Sequence, residues 1–151
     1  MNPGPRRGFL YDFAVYDGQG RLSALVEAKR RFGTSPSWAR KWRAAILEDM
    51  ARPPNTTTLL VAPDCIYVWR PGADASANPD WTLDARAVLA PYFARLKIAP
   101  TEVDPQVFEA IVGLWLWDVV QGDLLERIDV GSVRELFDAL RGGEVEEQVA
   151  A

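Results

Sequence analysis

Three charged side chains carry the chemistry this chain could do: Asp12 in FLYDFAVY, and Glu27 and Lys29 in RLSALVEAKRRF. Glu27 and Lys29 stand one residue apart at the end of an apolar run, where a strand would otherwise be burying itself. Side chains alternate along a strand, so Glu27 and Lys29 share a face with Ser23 and Leu25. Two carboxylates gathered near a core repel, and a divalent cation that prefers oxygen relieves them. The chain has no histidine and a single cysteine, so Mg²⁺ or Mn²⁺ is the expected ion. A lysine beside such an ion can steady a phosphate oxygen or the attacking water, while the metal polarises phosphorus and lowers the water's pKa. The expected reaction is metal-assisted phosphodiester hydrolysis. The competing reading is an edge strand that frays into solvent with a Glu and a Lys outside.

A hairpin must position these groups. Phe9–Tyr16 and Arg21–Lys29 read as strands, with DGQG between them as the turn. If Tyr16 faces Arg21, Asp12 lies opposite Leu25 and diagonal to Glu27, on one face. If Asp17 faces Arg21 instead, Asp12 lies opposite Val26 and points away from the cluster. Asp17 sits at the turn and is assigned to turn chemistry.

Next, GTSP predicts a helix with Ser35 as N-cap and Pro36 at its first position, with Trp38, Trp42, Ala45, Ile46 and Met50 facing the core. Arg40, Lys41 and Arg43 fall off that stripe. TTTLLVA and CIYVWR read as two more strands joined through Pro63-Asp64, and residues 71–80 as an exposed loop. Helices follow over Asp84–Leu96, Pro105–Gln121 and Val133–Arg141, the last with a capping box of Ser132 and Glu135. The helix with VFEAIVGLWLWDVV is apolar around most of its girth and is expected to be sandwiched inside the domain. The tail EVEEQVAA is expected to fray.

At 151 residues, with 48% hydrophobic and 25% charged, the chain suits a single globular domain. No run is long enough for a membrane helix and MNPGPRRG is no secretory leader, so the expected location is the cytoplasm. Cys65 is expected as a small buried residue. The missing histidine excludes Ser-His-Asp and Cys-His catalysis and His-based zinc sites. GQG does not open a helix, so there is no phosphate loop. Residues 1–52 hold ten basic against five acidic side chains, and residues 53–151 hold seven against sixteen. A local positive face inside an acidic protein is compatible with that division.

The stretch LYDFAVYDGQGRLSALVEAKRRFGTSPSWARKWR, followed by TTLLVAPDCIYVW, resembles the core of the PD-(D/E)XK nucleases, the restriction-endonuclease-like fold, and especially small bacterial members of that family. The resemblance covers roughly residues 9–70, under half the chain. It matches Asp12 and Glu27 to the family's metal ligands and Lys29 to its catalytic lysine. Tyr11 replaces the family's proline, and the helix that opens the family's core is missing before Phe9. Either a later helix covers that face or the chain start is truncated, and the acid some members place on the opening helix has no counterpart there. The resemblance implies an α/β domain with a mixed sheet flanked by helices, a core at 9–70 and a helical part at about 82–143. It implies a Mg²⁺- or Mn²⁺-dependent endonuclease with no organic cofactor. Glu27 or a water on the ion would serve as base, with Lys29 stabilising charge. Arg30, Arg31, Arg40, Lys41 and Arg43 are candidates for DNA backbone contacts. A homodimer through the helix Pro105–Gln121 is the expected assembly. The alternative is a nuclease-like module that does not cut and uses Trp115 and Trp117 as its interface.

Overall fold

The computed structural model describes residues 11–48, 55–122 and 140–148. Its strands are β1 (Phe13–Tyr16), β2 (Leu22–Ala28), β3 (Thr57–Val61), β4 (Cys65–Trp69), β5 (Trp81–Asp84) and β6 (Glu144–Glu147). They form one mixed sheet in the order β5-β4-β3-β2-β1-β6, in which β2 and β3 are parallel and the other neighbours antiparallel. Parallel strands need a crossover, and helix α1 (Pro36–Glu48) supplies it between β2 and β3. Helices α2 (Ala85–Leu96) and α3 (Pro105–Gln121) follow β5, separated by a 3₁₀ turn at Pro100–Glu102. The architecture is α/β.

Strand alternation gives the sheet two faces. Phe13, Val15, Val26, Leu59, Val61, Ile66 and Val68 pack with α2 and α3 in the main core. Ala14, Tyr16, Leu25, Leu60, Tyr67 and Trp69 turn the other way, toward Trp38, Trp42 and Ile46 of α1. The sheet is therefore covered on both sides, with α3 taking the larger apolar load: Phe108, Ile111, Val112, Trp115, Leu116, Val119 and Val120 are all buried.

Local chemistry sets the helix ends where expected. Ser35 Oγ accepts from Trp38 N at 3.1 Å, with Pro36 opening α1. Asp84 caps α2 by accepting from Arg86 N, and Asp104 caps α3 by accepting from Val107 N at 2.8 Å, ahead of Pro105. Gly122, at φ 79°, closes α3 in the left-handed conformation glycine favours.

Four expectations are corrected. The tail does not fray at Glu144–Glu147, which pairs with β1 as the sheet's edge strand. WTLD, of which only Asp84 is assigned, and that to a helix, forms β5 against β4. On α1 the buried residues are Ala39, Arg43 and Leu47, while Ala45 is exposed. Cys65 is only partly buried. The capping box of Ser132 and Glu135, most of the predicted last helix and Met50 lie outside the described residues. Among the described residues no helix is long and apolar enough to cross a membrane.

Candidate active site

The turn of the hairpin is built by Asp17, whose Oδ1 accepts from Gln19 N and Arg21 N at 2.8 and 2.9 Å. Gly20 there holds φ +77°, and Asp17 N donates to Arg21 O at 2.8 Å. Asp17 thus faces Arg21, the register that would turn Asp12 away from Glu27. A bulge reverses the outcome. Tyr16 pairs with Leu22 but Val15 pairs with Ala24, so Ser23 is an extra residue in β2. Its hydroxyl donates to Val15 O at 3.0 Å. Beyond the bulge Phe13 pairs with Val26, and the same register carried one residue further sets Asp12 across from Glu27. The predicted partner, Leu25, instead faces Ala14.

Asp12 occupies a bend just before β1 and is fixed at both its backbone and its side chain. Its carbonyl accepts from Gln148 N and its Oδ2 from Ala28 N, each at 2.8 Å. Glu27 is 7% exposed. Burial first, then a carboxyl–carboxyl hydrogen bond with Asp12 and the Asp12 charge, push its pKa up to about 9, against the pull of Lys29. Lys29 is exposed, and its backbone N donates to Val61 O at 2.9 Å, so it extends the β2–β3 ladder by one residue. Asp12, Glu27 and Lys29 are therefore brought together at one end of the parallel strand pair.

Two further side chains belong to this neighbourhood. Glu109 of α3 adds a negative charge near both acids, and its own pKa is raised by burial, then by Asp12 and Glu147. Its only trace in the sequence is being the lone acid in the first two turns of an apolar helix. Tyr11 is buried, and burial is the main reason its phenol is pushed up to about 12. Glu27 adds to that rise, while Arg43 and a hydrogen bond with Thr58 oppose it.

The donor set suits a hard divalent cation. A buried acid facing another acid needs a proton or a cation, and both groups offer oxygen only. Among the described residues no three Asp, Glu, His or Cys side chains stand together to hold an ion by protein ligands alone. Two carboxylates with substrate phosphate and water completing the shell is the usual way magnesium is bound.

The five basic candidates fare differently. Lys41 and Arg31 are exposed and Arg40 is half-buried, with the Arg31 guanidinium 5.4 Å from the Trp38 ring centroid. Arg30 is exposed, but its Nε donates to Val103 O and its guanidinium lies 5.3 Å from the Phe32 centroid. Arg43 is 5% exposed. Its guanidinium donates to the carbonyls of Ala73 and Asp74, so it is spent inside the fold and is withdrawn as a DNA contact. Comparison with protein-family models, with curated proteins and with solved structures gave no match.

Proposed function

We propose that this chain is a metal-dependent nuclease of the restriction-endonuclease-like fold that hydrolyses phosphodiester bonds in DNA. The observation that carries this reading is the bulged register that sets Asp12 across from the buried Glu27, with Lys29 exposed beside them. Bound between the carboxylates, Mg²⁺ or Mn²⁺ would supply Lewis acidity toward a phosphoryl oxygen and lower the pKa of the attacking water. Asp12 and Glu27 hold that charge in place, and Glu27 gives up its proton to do so. Lys29 donates to a non-bridging phosphate oxygen and offsets the negative charge that develops there. Arg31 and Lys41, exposed on the loop after β2 and on α1, supply backbone contacts that position the strand without reading its sequence.

A second reading rests on one feature of α3: Leu114 and Trp117 are 45% and 54% exposed. These two, rather than the buried Trp115, would be the contact surface of a module that does not cut or of a homodimer.

Plasmid nicking at low salt tests the proposal, with wild type, Lys29→Ala and Glu27→Gln at matched concentration. Wild type nicks in Mg²⁺ and not in EDTA. Lys29→Ala keeps the fold, because an exposed charge contributes little to stability, and loses roughly a hundredfold in rate. Equal nicking by all three proteins overturns the mechanism, and no nicking by any favours the module.

A further inference from the structure

Beside Lys29 the surface carries a depression of about 260 Å³ lined by Phe32, Pro63, Asp64, Arg86, Pro100 and Thr101. Its walls come from the loop after β2, the β3–β4 turn, the start of α2 and the 3₁₀ turn. Lys29 lies three residues before Phe32, a reach of at most about 11 Å. Its backbone is also bonded to Val61, two residues before Pro63. The depression therefore stands at the same end of the parallel strand pair as the candidate site.

Phe32 is 42% exposed, and one exposed ring by itself means little. What distinguishes this ring is how firmly its loop is held. On one side Arg30 Nε donates to Val103 O. On the other, Thr34 donates from its N and Oγ1 to the two Asp64 oxygens at 3.1 and 2.8 Å, while Tyr67 Oη lies 2.8 Å from the same hydroxyl. The loop is anchored to two walls of the depression, and both oxygens of the one acid lining it are engaged. An apolar ring is thus held ready at the surface, where binding costs little ordering of the loop.

The chemistry of the rim selects the ligand. Arg86 lines the depression and the Arg30 guanidinium stands over the Phe32 ring, while the rest of the lining is largely apolar. The volume is below the roughly 300 Å³ at which pockets for drug-sized molecules begin, and suits one flat ring system. A flat ring tethered to anionic phosphates is a nucleotide, and its base can enter only when it is not stacked in a duplex. We propose that the Phe32 depression takes an unpaired base of the DNA strand whose phosphate lies at Lys29. The substrate of the site is then single-stranded or locally opened DNA. This rests on the nuclease reading above and adds a substrate class to it.

Fluorescence anisotropy in EDTA at low salt tests it, with a labelled oligothymidine, the corresponding duplex and an abasic strand of equal length. Wild type binds the oligothymidine more tightly than the duplex or the abasic strand. Stacking on an aromatic side chain holds an unpaired base, so Phe32→Ala weakens oligothymidine binding roughly tenfold and leaves duplex and abasic binding unchanged. Phe32→Trp restores the affinity, and thermal melts of both variants match wild type. Equal affinity of wild type and Phe32→Ala for oligothymidine, or no preference over the abasic strand, overturns the depression as a base site. If metal-dependent nicking persists in that case, the nuclease reading survives it. If wild type binds none of the three ligands, both fall together.

Discussion

Two charged side chains are buried on the α1 side of the sheet, Arg43 at 5% exposure and Glu27 at 7%. Tyr11 feels the charge of both. Arg43 finds its complement within the fold. One terminal nitrogen donates to Ala73 O at 3.0 Å, the other donates to Asp74 O, and the guanidinium lies 5.4 Å from the Trp69 ring centroid. Of the three guanidinium nitrogens, Nε has no partner among the described residues. Glu27 finds the opposite: its hydrogen-bonding neighbour is another carboxyl group, with Glu109 adding to the negative field. A buried charge costs several kcal/mol unless paired. The fold compensates the arginine itself and leaves the glutamate to be compensated from outside the chain, by a proton or a cation. On the proposed reading, that asymmetry separates a structural charge from a functional one.

The largest effect expected of a single substitution breaks the structural half of this pair. Arg43→Ala leaves two loop carbonyls without their donors and opens space against Trp69, at a cost of about 3 kcal/mol. For a chain of this length that is about 10 °C in melting temperature. Arg43→Lys keeps the charge but not the fork and recovers only part. Glu27→Gln at neutral pH and without metal is not destabilising, because it replaces an acid that the fold already keeps protonated. Thermal melts by circular dichroism in EDTA check both. An Arg43→Ala protein that melts with wild type would end the distinction.

How much of this was legible depends on the range of the interaction that decides it. The cap at Ser35 and the span of α3 are settled within a few residues, and the observed elements agree. Asp12, Glu27 and Lys29 were found as types and spacing, but their register was not. Whether Asp12 faces the cluster depends on one extra residue, Ser23, whose side chain is indistinguishable in the sequence from an ordinary strand position. A helical stripe of apolar residues assigns charge outward, which puts Arg43 on the solvent side in the sequence. The carbonyls that accept from it lie about thirty residues away, in a loop. Strand β6 was invisible for a related reason: EVEE has no apolar alternation, and it is a strand because β1 offers it a free edge. Glu109 joins the site through the packing of α3, a contact roughly eighty to a hundred residues from Glu27 and Asp12.

The next effect concerns the proton that Glu27 holds. Its pKa in the folded chain is pushed up to about 9 from an ordinary 4.5. Between those values the native state binds a proton that the unfolded chain has released. Stability in EDTA is therefore fully supported below about pH 4.5 and declines as pH rises toward 9, with a slope of at most about 1.4 kcal/mol per pH unit from this group. Denaturant midpoints taken across pH 5–9 measure the slope. Glu27→Gln removes its share of it, and Arg43→Ala, though less stable throughout, keeps it. A wild-type slope no different from that of Glu27→Gln would show that Glu27 is not held protonated by its surroundings.

The smallest expected effect is the most direct test of what Glu27 lacks. A cation that binds the native state alone stabilises it by mass action, by about 1.4 kcal/mol at ten times its Kd. For this chain that is about 4 °C in melting temperature. The increment belongs to the carboxylate pair: Asp12→Asn and Glu27→Gln abolish it, Lys29→Ala leaves it, and Arg43→Ala retains it from a lower starting point. Because the ion displaces the Glu27 proton, the increment at a fixed Mg²⁺ concentration grows from pH 6 to pH 8. Nonspecific screening by the salt predicts the reverse pattern, a change independent of pH and shared by every variant. Melts at millimolar MgCl₂, against NaCl matched in ionic strength, distinguish the two. A wild-type melting temperature unmoved by Mg²⁺ or Mn²⁺ at pH 8 would leave the proton as the only complement of Glu27, and the carboxylate pair would no longer support a nuclease.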